Sequence, residues 1–215
     1  MSAKRTGRCP TQERVLEAAS EVFAEAGYHE ATVAEICERA NANVAAVSYH
    51  FGGKADLYAL VWRRAFEEGL RAYPPDGGLP ADAPAEARLR ARIHALLARI
   101  FDDGRTGRFS KLLLAEMSQP TENLAEVRRE VIGRQVRETS DLLREILGPD
   151  VPEESLTHCH MSVIHQCLGI GWRRMHRQAF LGREGLRPEE VEVLADHITR
   201  FSLAGMREIR DGGER

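Results

Sequence analysis

The chain has 215 residues, 43% of them apolar, and a formal net charge of only −3. That length supports a buried core in one or two domains, and the balanced charge excludes binding to nucleic acid through a global basic excess, so any such contact must come from local placement. No apolar run is long enough to span a membrane and the opening Met1 to Gly7 lacks the apolar core of a secretion signal, so a cytoplasmic protein with no membrane partner is expected.

In chain order, Lys4, Arg5 and Arg8 form a basic arm with no acidic residue among them, which serves either to reach DNA or to solubilise the terminus. Thr11 can cap a first helix to about Ala26, with Val15, Leu16, Ala19, Val22 and Phe23 at helical spacing and Gly27 ending it. Thr32 followed by Glu35 is a capping-box pattern that starts a second helix, whose apolar stripe is Val33, Ile36 and Cys37. Ala40 to Asn43 interrupt it with residues suited to a turn. A third helix, Val44 to Phe51, follows. The spacing puts Val44 and Val47 inward with Phe51 and leaves Ala45, Ala46, Ser48, Tyr49 and His50 outside. Gly52-Gly53 permits a turn, Lys54 opens a fourth helix to about Tyr73, and Pro74-Pro75 stops it.

Two short helices with a four-residue interruption describe a helix-turn-helix, whose second helix can enter the major groove of a double-stranded DNA operator. On that reading Ala45, Ala46 and Ser48 lie near base edges, because methyl groups contact thymine and a hydroxyl can bond a base. Thr32, Tyr49, His50 and Lys54 are the phosphate candidates, and Asn43 suits either role.

Residues 11–62, with Gly27-Tyr28, Ala31-Thr32-Val33, Ile36 and above all the run Val47-Ser48-Tyr49-His50-Phe51-Gly52-Gly53-Lys54 to Tyr58, resemble the N-terminal DNA-binding domain of TetR-family transcription regulators. The resemblance implies an all-α homodimer with an N-terminal three-helix domain and a C-terminal helical bundle. It implies a division near residue 55, with 1–55 binding DNA and 56–215 binding an effector and pairing the subunits. It also implies a repressor released from its operator by a small-molecule effector, the fourth helix transmitting the change. Phe109 to Leu112, Glu116 to Thr121, Glu130 to Ile132 and His158 to Gly182 are similar to the CecR-type branch of that family.

Beyond the Pro- and Gly-rich segment 74–84, helical patterns run from about Ala85 to Phe101, Arg108 to Ser118, Pro120 to Leu147, Pro152 to Leu181 and Pro188 to Arg210. The last two are apolar on more than one stripe: Leu156, Val163, Cys167 and Ile170; Met161, Leu168, Trp172 and Met175; and Val191, Leu194, Ile198, Phe201 and Met206. A helix apolar on two sides needs two neighbours, which a homodimer supplies and a monomeric core supplies less readily. Candidates for lining an effector pocket are Phe101, Met117, Met161, His165 and Trp172, drawn from a wider set with Ile93, Leu97, Leu113 and Met175; taken singly, each reads more readily as plain core.

His158, Cys159, His160, His165 and Cys167 raise the alternative of a metal- or thiol-responsive regulator, but His158 and His160 project about 200° apart on one helix, which disfavours a shared ion. The four cysteines show no CxxC pairing, so reduced thiols and no cofactor are expected. No nucleophile elbow, phosphate-binding loop or dinucleotide fingerprint points to an enzyme. An activator at the same kind of operator is the remaining alternative.

Overall fold

The computed structural model of the protein describes residues 10–102, 107–172 and 186–212. All regular elements among them are helical: α1 (Pro10–Glu30), α2 (Val33–Ala40), α3 (Val44–Phe51), α4 (Lys54–Ala72), α5 (Ala85–Phe101), α6 (Gly107–Ser118), a 3-10 turn (Glu122–Leu124), α7 (Ala125–Leu147), α8 (Glu153–Trp172) and α9 (Pro188–Gly212). The chain divides into two compact units, Met1–Glu67 with Arg108–Arg128 and Glu68–Gly107 with Arg129–Arg215.

In the first unit α1 starts on a proline, whose fixed φ suits a first helical turn, and buries Val15, Leu16, Ala19, Val22 and Phe23. Its regular winding breaks at Gly27, where φ is 72° and ψ −178°, a backbone state open to glycine and strained for any other residue. Helix α4 contributes Leu57, Tyr58, Val61 and Trp62, all buried. The Tyr58 ring meets Phe23 edge-on at 4.8 Å and Tyr28 at 5.0 Å. Helix α6, although far along the chain, belongs to the same core: Phe109, Leu112 and Leu113 are buried, Phe109 meets Phe66 at 5.2 Å, and Arg108 pairs with Glu17 at 2.7 Å and Glu21 at 3.3 Å.

A buried carboxylate locks this arrangement. Glu116, 2% exposed, accepts from the Thr121 amide at 2.8 Å, the Thr121 hydroxyl at 2.9 Å and the Tyr58 hydroxyl at 3.4 Å, and pairs with Arg128 at 2.5 Å. One side chain thereby joins α4, α6 and the start of α7, and satisfies the lone pairs that make a buried charge tolerable. Burial first, and the Glu116 charge second, push the Tyr58 hydroxyl well above the ordinary tyrosine range. The same carboxylate corrects the expected helix start at Pro120. With its amide and hydroxyl engaged, Thr121 is extended (φ −99°, ψ 134°), and α7 begins at Ala125 after the 3-10 turn.

The second core joins Leu89, Ile93 and Leu97 of α5, Leu142, Leu143 and Leu147 of α7, Leu156, Val163 and Cys167 of α8, and Val191, Ala195 and Ile198 of α9. Helix α8 buries a single stripe in which Cys159 joins Leu156, Val163 and Cys167. Of the second expected stripe, Leu168 is half-buried and Met161 is 48% exposed. Met175 and the side chains of Ile170 and Trp172 lie outside the described residues, as does the expected continuation of this helix to Leu181. Phe201 of α9, on the stripe read as needing a second neighbour, is 66% exposed, and Val193 is 69% exposed. At the surface of this unit Arg88 pairs with Glu145, and Arg90 bridges Glu192 at 2.7 Å and Asp196 at 2.5 Å. Such exposed pairs each contribute at most about 1 kcal/mol.

Half-buried His160 meets the Ser140 hydroxyl through Nδ1 at 3.0 Å. Burial, with a smaller contribution from the Arg92 charge, lowers its pKa from the ordinary histidine value of 6.5. The unfolded chain therefore takes up the proton first, so the associated stability is complete above pH 6.5 and declines as pH falls toward the lowered value. Urea midpoints should accordingly drop on acidification below that pH, and His160→Gln should shrink the drop; an unchanged pH profile in the variant would refute the assignment. In the first unit, Glu116→Ala should lower unfolding free energy by about 3 kcal/mol, because it strands Arg128 and the Thr121 amide, as measured by chemical denaturation.

Candidate DNA-binding surface

The helix-turn-helix is built by caps at each of its ends. Thr32 adopts an extended backbone and its Oγ1 accepts from the Glu35 amide at 3.1 Å, while the Glu35 carboxylate reaches forward to Arg39 at 2.8 Å. Helix α2 ends on Asn41 in the left-handed region (φ 47°), a conformation that asparagine tolerates better than most residues. Two residues later Asn43 is extended and its side chain caps α3 by accepting from the Ala45 amide at 2.9 Å. Arg14 of α1 donates to the Ala40 carbonyl at 3.1 Å, closing the other side of the turn. Buried Ile36, Cys37 and Ala40 of α2 and Val47 of α3 hold the two helices to the core.

Val47 is 1% exposed and Phe51 half-buried, as the spacing predicts. Val44 is not: it is 51% exposed. As the first residue of α3 it extends past the turn, and i, i+3 spacing within so short a helix does not guarantee a shared buried face. Val44, Ala45, Ser48 and Tyr49 lie within an arc of about 140° at 100° per residue, opposite Val47, and all four are exposed, Tyr49 by 84%. The side chain of Ala46 lies outside the described residues. This surface is small, uncharged and protruding. Val44 is thus a contact candidate missed by sequence reasoning; its one signal was its place directly after a capping asparagine.

The other candidates have partners within the protein. His50, half-buried, meets Gln12 Nε2 through Nδ1 at 3.2 Å and lies edge-on to Tyr49 at 4.9 Å. Lys54 donates to the His29 carbonyl at 3.2 Å, and its ammonium sits 4.7 Å from the centre of the Tyr28 ring. The sequence reading took it only as a phosphate candidate; it also ties the start of α4 to the end of α1. Thr32 and Asn43, both exposed, keep their caps. The basic arm at Lys4, Arg5 and Arg8 lies outside the described residues.

The described pocket candidates fall in both units. Phe101 is 8% exposed in the second core, alongside Ile93 and Leu97, whereas Met117 belongs to the first unit and is 37% exposed. Met161 and His165, one turn apart, face out from α8 because the opposite side of that helix carries Cys159, Val163 and Cys167. The side chain of Trp172 lies outside the described residues. Burial raises the pKa of Cys37 and Cys159 and pushes Cys167 up to about 12; thiols held protonated in this way are poor redox sensors.

Comparison with known proteins resolves the family. Residues 15–61 match bacterial regulatory proteins of the tetR family, and residues 85–206 match the C-terminal domain of the HTH-type transcriptional dual regulator CecR. The chain belongs to the TetR family. It is a DNA-binding transcriptional regulator with a CecR-type C-terminal domain. This TetR-family chain is also similar to the HTH-type transcriptional activator FasR of Mycolicibacterium smegmatis, 35% identical over 106 residues that make up 46% of each protein. The chain thus matches less than half the length of that relative. Its fold is shared with the fatty acid degradation regulator FadR of Bacillus halodurans, with a TM-score of 0.68 at 15% identity over 90% of this chain and 98% of that one. A TetR-like regulator from Rhodococcus sp. RHA1 gives 0.68 at 18% identity over 94% and 100%.

The docked position of Lys54 separates two roles experimentally. If its remaining hydrogens meet a phosphate, Lys54→Ala should weaken binding to all DNA sequences alike and reduce the salt slope by about one unit. If it only tethers α4 to α1, thermal stability should fall while the slope stays fixed.

Proposed function

We propose that the chain works as a homodimeric repressor that a small-molecule effector releases from its operator. In this reading residues 1–55 bind DNA and residues 56–215 bind the effector and pair the subunits. The observation that carries the reading is the uncharged, protruding arc of Val44, Ala45, Ser48 and Tyr49 on a helix capped at both ends. Small side chains let α3 approach base edges closely; Ala45, Ala46 and Ser48, with Val44 added, are the base-proximal set. Thr32, Tyr49, His50 and Lys54 are the phosphate set, with Asn43 able to serve through the amide nitrogen that its cap leaves unused. The exposed Met161, Val193 and Phe201 of α8 and α9 support pairing through these helices, since a second copy laid against them would take large apolar side chains out of water. Two readers paired in this way would meet successive major grooves about 34 Å apart on a near-palindromic site. A cytoplasmic location follows from the work proposed.

An activator is the second reading, favoured by the name of the relative FasR. The sign depends on where the operator lies relative to the promoter, a matter of DNA rather than of protein chemistry.

Fluorescence anisotropy on fragments from upstream of the chain's own gene tests the proposal. Binding should be steeply salt-dependent and fit one dimer per site. Ser48→Ala and Val44→Ala should each change the preferred base at one position by about 1–3 kcal/mol, with the salt slope unaltered. A monomer indifferent to these fragments at low salt would overturn the reading, and in vitro transcription with and without the protein decides between repression and activation.

A further inference from the structure

Helix α5 carries four arginines, and three of them form a consistent pattern. Arg88 pairs with Glu145, Arg90 with Glu192 and Asp196, and Arg92 with Glu138 at 3.4 Å. The fourth, Arg99, breaks it. It is the most buried of these, 6% exposed, and no carboxylate pairs with it among the described residues. Its one hydrogen bond runs from Nη1 to the Tyr73 carbonyl at 2.7 Å. The acid nearest in sequence, Asp102, hydrogen-bonds the Tyr73 hydroxyl instead and, after burial, raises its pKa. The charge that acts on it is a like one, Arg92, two turns back on the same stripe with small, buried Ala95 between them. Burial, then this repulsion, lowers Arg99 to about 10. A guanidinium has five N–H donors, and taking it out of water with a single carbonyl for partner is costly unless something else completes the site.

The position of that carbonyl gives the cost a purpose. Tyr73 directly follows α4, and its amide still donates to Gly69. Arg99 therefore holds the C-terminal end of α4, where backbone carbonyls lack helical partners and the helix dipole is negative. A carboxylate presents two oxygens in the plane that a guanidinium fork matches, and binds it more strongly than a neutral carbonyl can. Ile100 and Phe101, both 8% exposed, and Leu97, fully buried, provide apolar surroundings on the same turn of helix.

We propose that Arg99 anchors the carboxylate of a small effector with an apolar body, and that this carboxylate draws the guanidinium away from the end of α4. The proposal rests on the reading that the C-terminal domain takes an effector. It names the chemical class of that effector and the first contact broken when it binds.

The test uses the full chain and a set of probes: acetate, benzoate and decanoate, each against the alcohol of the same carbon skeleton, with decyl phosphate as the alternative anion. By calorimetry, at least one carboxylate should bind about tenfold or more tightly than its alcohol, the factor expected of one charged hydrogen-bonded contact. Arg99→Met should erase that preference. Arg99→Lys, which keeps the charge but not the planar fork, should retain only part of it and covers the case in which the methionine variant fails to fold. In the wild type, the bound carboxylate should speed hydrogen exchange of amides 70–73. The proposal is overturned if every alcohol binds as well as its acid, if no carboxylate binds, if decyl phosphate alone binds, or if both variants keep the wild-type preference. These readouts need no DNA. Loss of DNA binding would sink the proposed regulator without touching the carboxylate site, and the reverse holds equally.

Discussion

An eight-residue helix cannot hold itself together in water, because so few hydrogen bonds do not offset the cost of nucleation. Helix α3 is such a helix, and among its described side chains Val47 alone is fully buried against the core. Its orientation therefore depends on what surrounds it. Asn43 caps its start, Asn41 takes the left-handed turn before it, Arg14 closes the end of α2, and Gln12 holds His50. Remove that support and the outer arc has no fixed direction. Keep it, and an uncharged surface of four small or planar side chains is presented in one pose, the pre-organisation that reading a groove requires.

The supporting core draws on distant parts of the chain. Helices α1 and α4 contribute an aromatic seam through Phe23, Tyr28 and Tyr58. Helix α6 joins them through Phe109, Arg108 and the buried Glu116. That carboxylate is fully engaged, by two bonds from Thr121, one from Tyr58 and the Arg128 pair, which is the condition under which a buried charge specifies an arrangement instead of weakening it. Arg99 stands at the other extreme. It is buried to a similar degree yet has one neutral partner. The contrast between a completed and an uncompleted buried charge separates a structural lock from a place prepared for a ligand.

Much of this was legible in the residues. The first helix, the break at Gly27, the Thr32 and Asn43 caps, the helices from Lys54 and Ala85, and the family to which the chain belongs follow from local chemistry: capping, the backbone freedom of glycine, and apolar spacing. The misreadings share a different cause. Val44 was placed inside by spacing that holds for longer helices, the contacts of Lys54 with the His29 carbonyl and the Tyr28 ring went unforeseen, and α7 was started at Pro120 without knowledge that Glu116 would hold Thr121 extended. Met161 and Phe201 lie on apolar stripes that were read as needing a second neighbour, and periodicity alone cannot say what covers such a stripe.

The amino-acid sequence alone determined where most of the helices begin, which helix presents small residues, and that no strand competes among the described residues, because those outcomes are governed by interactions among residues a few positions apart. Only the tertiary structure decided that α6 belongs with the helices of the first unit, that Lys54 is docked, that Glu116 is saturated, and that Arg99 is buried with no counter-charge among the described residues. Each of those depends on partners 5 to 91 residues away in the chain, and a buried charge acquires its meaning from what the fold places beside it.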